Sequence, residues 1–385
     1  MKASFRVISI LLVVMGIMVA CNIYTFIPIY NEIASALTIS SRDVVVAGSS
    51  FTFFYACGLL TFSNIADRYG KKEILVWGML ASAISTGFVM ASFDFWTLLI
   101  SRGIQGFCLG SFAPVAFAYT FDLFDGKRRT LLLVFINSGF LFAGILGQLL
   151  SEIITAFSHW YFVFLFFSIV YFSLFILGRN NLPSTGAKSV SVSNQLVTMY
   201  KLLLNKQLII CYGIVFTLLS SFVAYYDSLT RYLPFEPKLL FQVRIVGLLG
   251  VILSFYTGNL LQKMGALKTL FLGISLALFS FIFSFFYLEI SFSILLLLSS
   301  ILFVSSISLL IPTMLTLIGE FSGDGRSQAL SFYSFILLGG TSIAPLVIMH
   351  LSYMQTLLLL IGCFIFNFFM GILLFLQQRE KNFSS

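Results

Sequence analysis

Ser63-Asn64-Ile65-Ala66-Asp67-Arg68-Tyr69-Gly70-Lys71-Lys72 is a charged island between two long apolar runs. The runs on either side carry almost no charge for about 20 residues, the length a helix needs to cross a bilayer. The island therefore predicts a very short basic turn joining two spans. Gly70 supplies a backbone that tolerates positive φ and ends the turn. Arg68, Lys71 and Lys72 are expected on the cytoplasmic face, where short loops concentrate Lys and Arg.

Composition extends this reading to the whole chain. Of 385 residues, 59% are hydrophobic and 9% charged, against roughly 25% charged in a soluble domain. At about 20 residues per span, the chain holds about twelve helices and leaves no room for a separate soluble domain. The net charge of +8 is dispersed over loops, which argues against a nucleic-acid partner and for contact with anionic lipid headgroups. Cys21, Cys57, Cys108, Cys211 and Cys363 all lie in apolar runs without paired spacing, so neither disulfides nor a metal site is expected. No nucleophile–base set and no phosphate-cradling Gly loop stands out, so no enzyme and no cofactor is expected.

The first run extends from about Val7 to Tyr30, behind Lys2 and Arg6. Further runs fall near 44–65, 74–93, 95–121, 130–152 and 160–178, then near 207–230, 240–262, 267–288, 291–318, 328–350 and 353–376. The expected division is an N-terminal six-helix half (1–178), a cytoplasmic linker (179–206) and a C-terminal six-helix half with a short polar cytoplasmic tail (207–385). With the N-terminus cytoplasmic, seventeen Lys and Arg fall inside; Arg42, Arg231, Lys238 and Arg244 fall outside or near the outer edge; Arg102 lies in a span. One missed helix would invert every later loop, so this bias supports the map. The halves also repeat. Ser63–Gly70 is echoed by Gly258–Gly265 at an offset of 195, Arg129 and Gln148 by Arg326 and Pro345 at 197, and Pro114 by Pro312 at 198.

The island resembles the signature loop G-x-x-x-D-[RK]-x-G-[RK]-[RK] of the major facilitator superfamily. Asp67, Arg68, Gly70, Lys71 and Lys72 match, and Ser63 replaces the leading Gly. The resemblance implies an all-α membrane protein of about twelve helices in two pseudo-symmetric halves, with a site at the midplane between them. It also implies that Asp67, Arg68, Gly70 and Lys71 act in conformational gating, with Asp67 stabilising the N-terminus of span eleven near Ser327.

Arg102-x-x-Gln105-Gly106 resembles the family's fourth-helix pattern R-x-x-Q-G. Residues three apart share a helix face, so Arg102 and Gln105 point the same way. A charge at the centre of a span costs about 2.5–3.5 kcal/mol. Arg102 is thus read either as a cavity cation or as a side chain snorkelling to the headgroups. Asn22 and Tyr24 in span one, and Tyr225 and Tyr226 in span seven, join Arg102 and Gln105 as candidate cavity residues. Pro28-Ile29-Tyr30-Asn31-Glu32-Ile33-Ala34 resembles the P-x-x-P-E-I-A ending of efflux members, with Asn31 for the second Pro.

Small residues suggest close helix packing: Gly106 and Gly110 in span four, Gly139, Ala143 and Gly147 in span five, and Gly340 beside Pro345 in span eleven. The span-five run partly resembles the antiporter motif G-x-x-x-G-P-x-x-G-G, with Gln148 where Pro is expected; this stripe is expected to let helices of the two halves slide closely. No Asp or Glu maps to the middle of a span. Asp227, at i,i+4 from Arg231 near the end of span seven, is the first candidate for proton coupling and Glu152 the second. The resulting expectation is a monomeric secondary transporter in the plasma or bacterial inner membrane, both termini cytoplasmic. It would exchange protons for a small amphipathic organic solute. Uptake of an organic solute, with Arg102 on an anion, and a non-transporting sensor or lipid-handling protein are the alternatives.

Overall fold

The computed structural model describes residues 5–184, 202, 204–233, 236–323 and 326–384. These residues are helical with short joints, and no strand occurs among them. Two compact units, Met1–Val190 and Ser191–Ser385, divide the chain. Eleven stretches are long and apolar enough to cross a membrane, and Phe5–Cys21 is a shorter apolar helix.

The first unit contains α1 (Phe5–Cys21), a 3-10 turn (Ile27–Ile29), α2 (Tyr30–Leu37), α3 (Ser41–Tyr69), α4 (Lys71–Met90), α5 (Phe95–Leu109), α6 (Ala113–Leu123), α7 (Gly126–Phe157) and α8 (Tyr161–Asn181). The second contains α9 (Lys206–Tyr232), α10 (Pro237–Val251), α11 (Leu253–Met264), α12 (Ala266–Ile290), α13 (Ser293–Phe321), α14 (Arg326–Ile348) and α15 (Tyr353–Ser384).

The very short turn expected in the charged island is one residue long, and the rest of the island is helix. Helix α3 runs through it to Tyr69, and α4 begins at Lys71. The joint is Gly70, at φ +98°, a conformation that a Cβ disfavours. Its repeat partner Gly265, at φ +81°, joins α11 to α12 in the same way. The other ends of these helices are fixed locally. Ser40 and Asp43 form a reciprocal capping box at the start of α3, as do Asp94 and Thr97 at the start of α5, satisfying N–H groups that a helix start leaves free.

Three expected spans are interrupted. Span one stops at Cys21 and resumes at Tyr30, so Asn22 and Tyr24 stand in a break instead of a helix. Span four breaks at 110–112 because Pro114, near the start of α6, cannot continue the α5 hydrogen-bond ladder. Span eight bends at Ile252, between α10 and α11. Helix α8 continues past Arg179 to Asn181, and the expected polar tail is the end of α15. The linker expected at 179–206 falls largely outside the described residues.

Apolar faces alternate around the helices. On α12, Ile274, Ala277 and Phe281 are buried while Phe279, Ile282 and Phe286 are exposed, as a helix with one protein face and one lipid face requires. Lipid tails are as apolar as Leu, so helix association relies on close packing. The small-residue stripe provides it, but within each unit. A Cβ on Gly147 would lie 2.3 Å from the Cys21 carbonyl oxygen, and one on Gly139 would lie 2.9 Å from Ile17 Cγ1. Ala143 between them is fully buried. The stripe on α7 therefore packs on α1 of its own half, where an approach between halves was expected. Gly340 on α14 meets the Phe216 carbonyl of α9 likewise, one turn before Pro345 in the same helix, while Gly106 and Gly110 bring α5 against the backbone of α3.

Candidate functional site

The break in span one frees backbone carbonyls, and a buried cation answers them. Arg102 Nη2 donates to the Asn22 carbonyl oxygen (3.2 Å), and Arg102 Nη1 to Gln105 Oε1 (2.6 Å). Gln105 Nε2 donates in turn to Asn22 Oδ1 (3.0 Å) and Thr86 Oγ1 (2.9 Å). Asn22 Nδ2 donates to the Tyr171 hydroxyl, which donates to the Met18 carbonyl (2.8 Å). Five side chains from α1's broken end, α4, α5 and α8 thus form one network, and each is fully buried. The sequence spacing that put Arg102 and Gln105 on one face of α5 is realised as a direct bond.

Aromatic rings complete the setting. The Arg102 guanidinium carbon lies 4.2 Å from the Phe26 centroid, 4.1 Å from Phe51 and 5.7 Å from Phe164. Desolvated cation–π contacts contribute up to about 2 kcal/mol each, and hydrogen bonds to a charged group about 1.5–3. Two of each exceed the ~2.5–3.5 kcal/mol cost of a charge at this depth. Arg102 is therefore held inside the unit without an acid, which removes the snorkelling alternative. Tyr24 is buried in the same break.

The second unit has its own polar cluster, near the end of α9. Asp227 is fully buried, and its Oδ2 accepts from Arg231 Nε (3.1 Å). Its Oδ1 has no hydrogen-bond partner among the described residues. Arg231 is 28% exposed. Arg244 Nη2 donates to Thr230 Oγ1 (2.8 Å). Arg244 is almost wholly buried on α10. Tyr225 and Tyr226 are buried beside Asp227, and their hydroxyls have partners inside the unit. Tyr225 donates to Ser299 Oγ (3.0 Å), and Tyr226 shares a hydrogen bond with Ser300 Oγ (2.8 Å).

Glu152 is half-buried on α7. Lys71 Nζ pairs with Asp122 at the end of α6, so the island is tied to span four of its own unit. Arg68 is exposed and lies over the Tyr69 ring at 5.5 Å. The Asp67 side chain and that of Ser327 lie outside the described residues. Sequence reasoning missed Thr86, Tyr171 and the three Phe rings. Tyr171 and Asn22 are 149 residues apart, and no local spacing joins them. No metal-holding group of His, Cys, Asp or Glu occurs among the described residues.

Comparison with known proteins places these features in a wider set. The family model described as Major Facilitator Superfamily matches residues 12–345. Multidrug resistance protein 3 of Bacillus subtilis is 29% identical over 30% of this chain and 23% of its own length. Multidrug resistance protein MdtL of Shewanella oneidensis is 35% identical over 28% of this chain and 27% of its own. An uncharacterized transporter of Buchnera aphidicola is 23% identical over 60% of this chain and 55% of its own. The matched segments thus span little more than half, or less, of these relatives. The crystal structure of the human organic anion transporter MFSD10 covers 95% of this chain and 99% of its own, with TM-score 0.67 and 14% identity; at that identity the likeness concerns the fold.

Proposed function

Because the chain belongs to the Major Facilitator Superfamily, we propose that it is a secondary active transporter exporting an amphipathic organic compound in exchange for protons. The observation that carries the coupling is Asp227, a carboxyl buried in a membrane-spanning helix with one oxygen held by Arg231 and the other without a hydrogen bond. Such a group is able to exist as an ion against Arg231 or as a neutral acid, which is what alternate proton carriage requires. Glu152, half-buried in α7, is the second candidate. Relatives named multidrug resistance proteins support efflux of an organic compound. Asn22, Tyr24 and Gln105 in the first half, and Tyr225 and Tyr226 in the second, are proposed to shape the solute path from within their own halves, with Arg102 fixing the broken end of span one. The island Asp67–Lys71 is proposed to bias the gating equilibrium. The protein is proposed to work as a monomer in the plasma or bacterial inner membrane, termini cytoplasmic.

Uptake of an organic anion by Arg102 is the weaker reading, since that guanidinium is boxed by three rings and already bonded. The test uses purified protein in proteoliposomes with an internal pH-sensitive dye and an imposed proton gradient. Cationic, neutral and anionic organic compounds are added singly. Proton movement opposite to the solute, lost in Asp227→Asn, is expected. Silence towards every compound from folded protein overturns the reading.

A further inference from the structure

The face of α4 that carries Thr86 continues away from the Arg102 network. Ser82 lies one turn along α4 from Thr86, and Gly78 one turn further, so the three share a helix face over about 12 Å. Opposite Gly78 stands Ser111, in the break between α5 and α6. A Cβ on Gly78 would lie 2.2 Å from Ser111 Oγ, so this hydroxyl occupies the notch that the glycine leaves. Ser82 and Ser111 are both fully buried. Neither hydroxyl has a hydrogen-bond partner among the described residues. A buried hydroxyl left unpaired costs about 1–3 kcal/mol, and native proteins satisfy such groups with protein or water.

The duplicated half fills the corresponding notch with an apolar side chain. At the offset of 195 that relates Gly70 to Gly265, Gly78, Ser82 and Thr86 correspond to Gly273, Ala277 and Phe281. The Gly273 notch is filled by Leu310, whose Cγ and Cδ2 would each lie 2.7 Å from an added Cβ. At the offset of 198 that relates Pro114 to Pro312, Gln105 corresponds to Phe303, and the Phe281 and Phe303 rings pack 5.1 Å apart. At the notch and along the next two turns, the second half carries Leu310, Ala277 and Phe281 where the first carries Ser111, Ser82 and Thr86; elsewhere on α13 the Ser306 and Ser308 hydroxyls are also buried without a partner among the described residues.

We propose that Ser82 and Ser111 hold a resident water in the first half, one turn of α4 away from the Arg102–Gln105–Thr86 network. Residues at i and i+4 place their Cβ atoms about 5–6 Å apart, and one water spans about 5.5 Å between two hydroxyls. Ser111 Oγ in the Gly78 notch and Ser82 Oγ one turn away are thus spaced for a single bridge.

The experiment compares wild-type protein with Ser82→Ala/Ser111→Leu, which copies the chemistry of the second half, at a resolution that shows water. Wild type is expected to show a water within hydrogen-bond distance of both hydroxyls, and the variant none. Both hydroxyls turned onto helix carbonyls with no water between them overturns the proposal. Should the double variant not fold, Ser82→Ala and Ser111→Ala are read by thermal melting. Hydrated hydroxyls make each change lower the melting temperature; dry unpaired ones make it rise, which also overturns the proposal.

Discussion

Arg102 donates to the Asn22 backbone carbonyl at 3.2 Å, one residue beyond the point where α1 stops at Cys21. A long-range side chain thus completes a helix end that local sequence leaves open. The cation neutralises the partial negative charge of the helix C-terminus and supplies a donor where the next turn of helix would have done so.

This contact makes Arg102 a stability residue as well as a site residue. Arg102→Ala leaves Gln105 Oε1 without its donor, at about 1–3 kcal/mol for a buried group, while the Asn22 carbonyl keeps Thr25 Oγ1 (3.2 Å). We expect a lower melting temperature in detergent, by an amount equivalent to about 1–3 kcal/mol. Arg102→Lys keeps the charge but not the planar fork that reaches two acceptors, and should fall between the two. A melting temperature unchanged in Arg102→Ala would contradict the network.

Adjacent glycines on α14 separate packing from propensity. A Cβ on Gly339 meets nothing within 4 Å, whereas one on Gly340 lies 2.1 Å from the Phe216 carbonyl oxygen. Gly339→Ala should leave thermal stability unchanged or raise it by about 0.5–1 kcal/mol, because Ala restricts the unfolded chain. Gly340→Ala should lower it by about 1–3 kcal/mol through overpacking. Equal effects at the two positions would show that α9 and α14 are not in backbone contact.

The contrast also shows what was legible beforehand. The apolar runs, the Gly70 and Gly265 joints and the repeat are local or periodic signals, and the helices follow them. The Arg102–Gln105 pair was legible because i and i+3 share a face. The break at 22–26 was not, since it lies within an apolar run and hydropathy does not distinguish a helix from an irregular apolar backbone; the break at 110–112 had a local signal in Pro114 that hydropathy alone passes over. The direction of the α7 stripe was equally hidden: small residues announce a close neighbour but do not name it. Burial of Arg244, which bonds Thr230 of α9, is a tertiary contact that charge counting does not reveal.

Asp94 offers a pH-dependent test outside the spans. Its carboxylate accepts from the Thr97 amide (2.8 Å) and from Thr97 Oγ1 (2.6 Å), and the side-chain bond, followed by the amide bond, holds its pKa below the usual carboxylate value. A carboxyl with a depressed folded-state pKa contributes stability above its unfolded value, about 3.9, and loses it as pH falls through the folded value. Wild type and Asp94→Ser, which keeps an N-cap oxygen, should therefore differ in melting temperature at neutral pH and converge below about pH 4. A difference that persists under acid would assign the cap no ionic component.

Asp227 and Arg231 distinguish a fixed ion pair from an exchangeable one. Removing a partner from a fully buried pair costs about 3–5 kcal/mol, and the partial exposure of Arg231 reduces this to about 1–3 kcal/mol for Arg231→Gln. Arg231→Gln/Asp227→Asn removes the stranded carboxylate and should recover most of that loss, giving a coupling energy in a double-mutant cycle. Asp227→Asn should therefore melt near wild type yet fail to move protons, and Asp227→Glu should retain some movement because it keeps an acid within reach of Arg231. If Asp227→Asn still moves protons at the wild-type rate, the pair is structural and Glu152 becomes the group to neutralise. If both neutral variants melt far below wild type, the carboxylate is fixed in place by Arg231 and does not cycle.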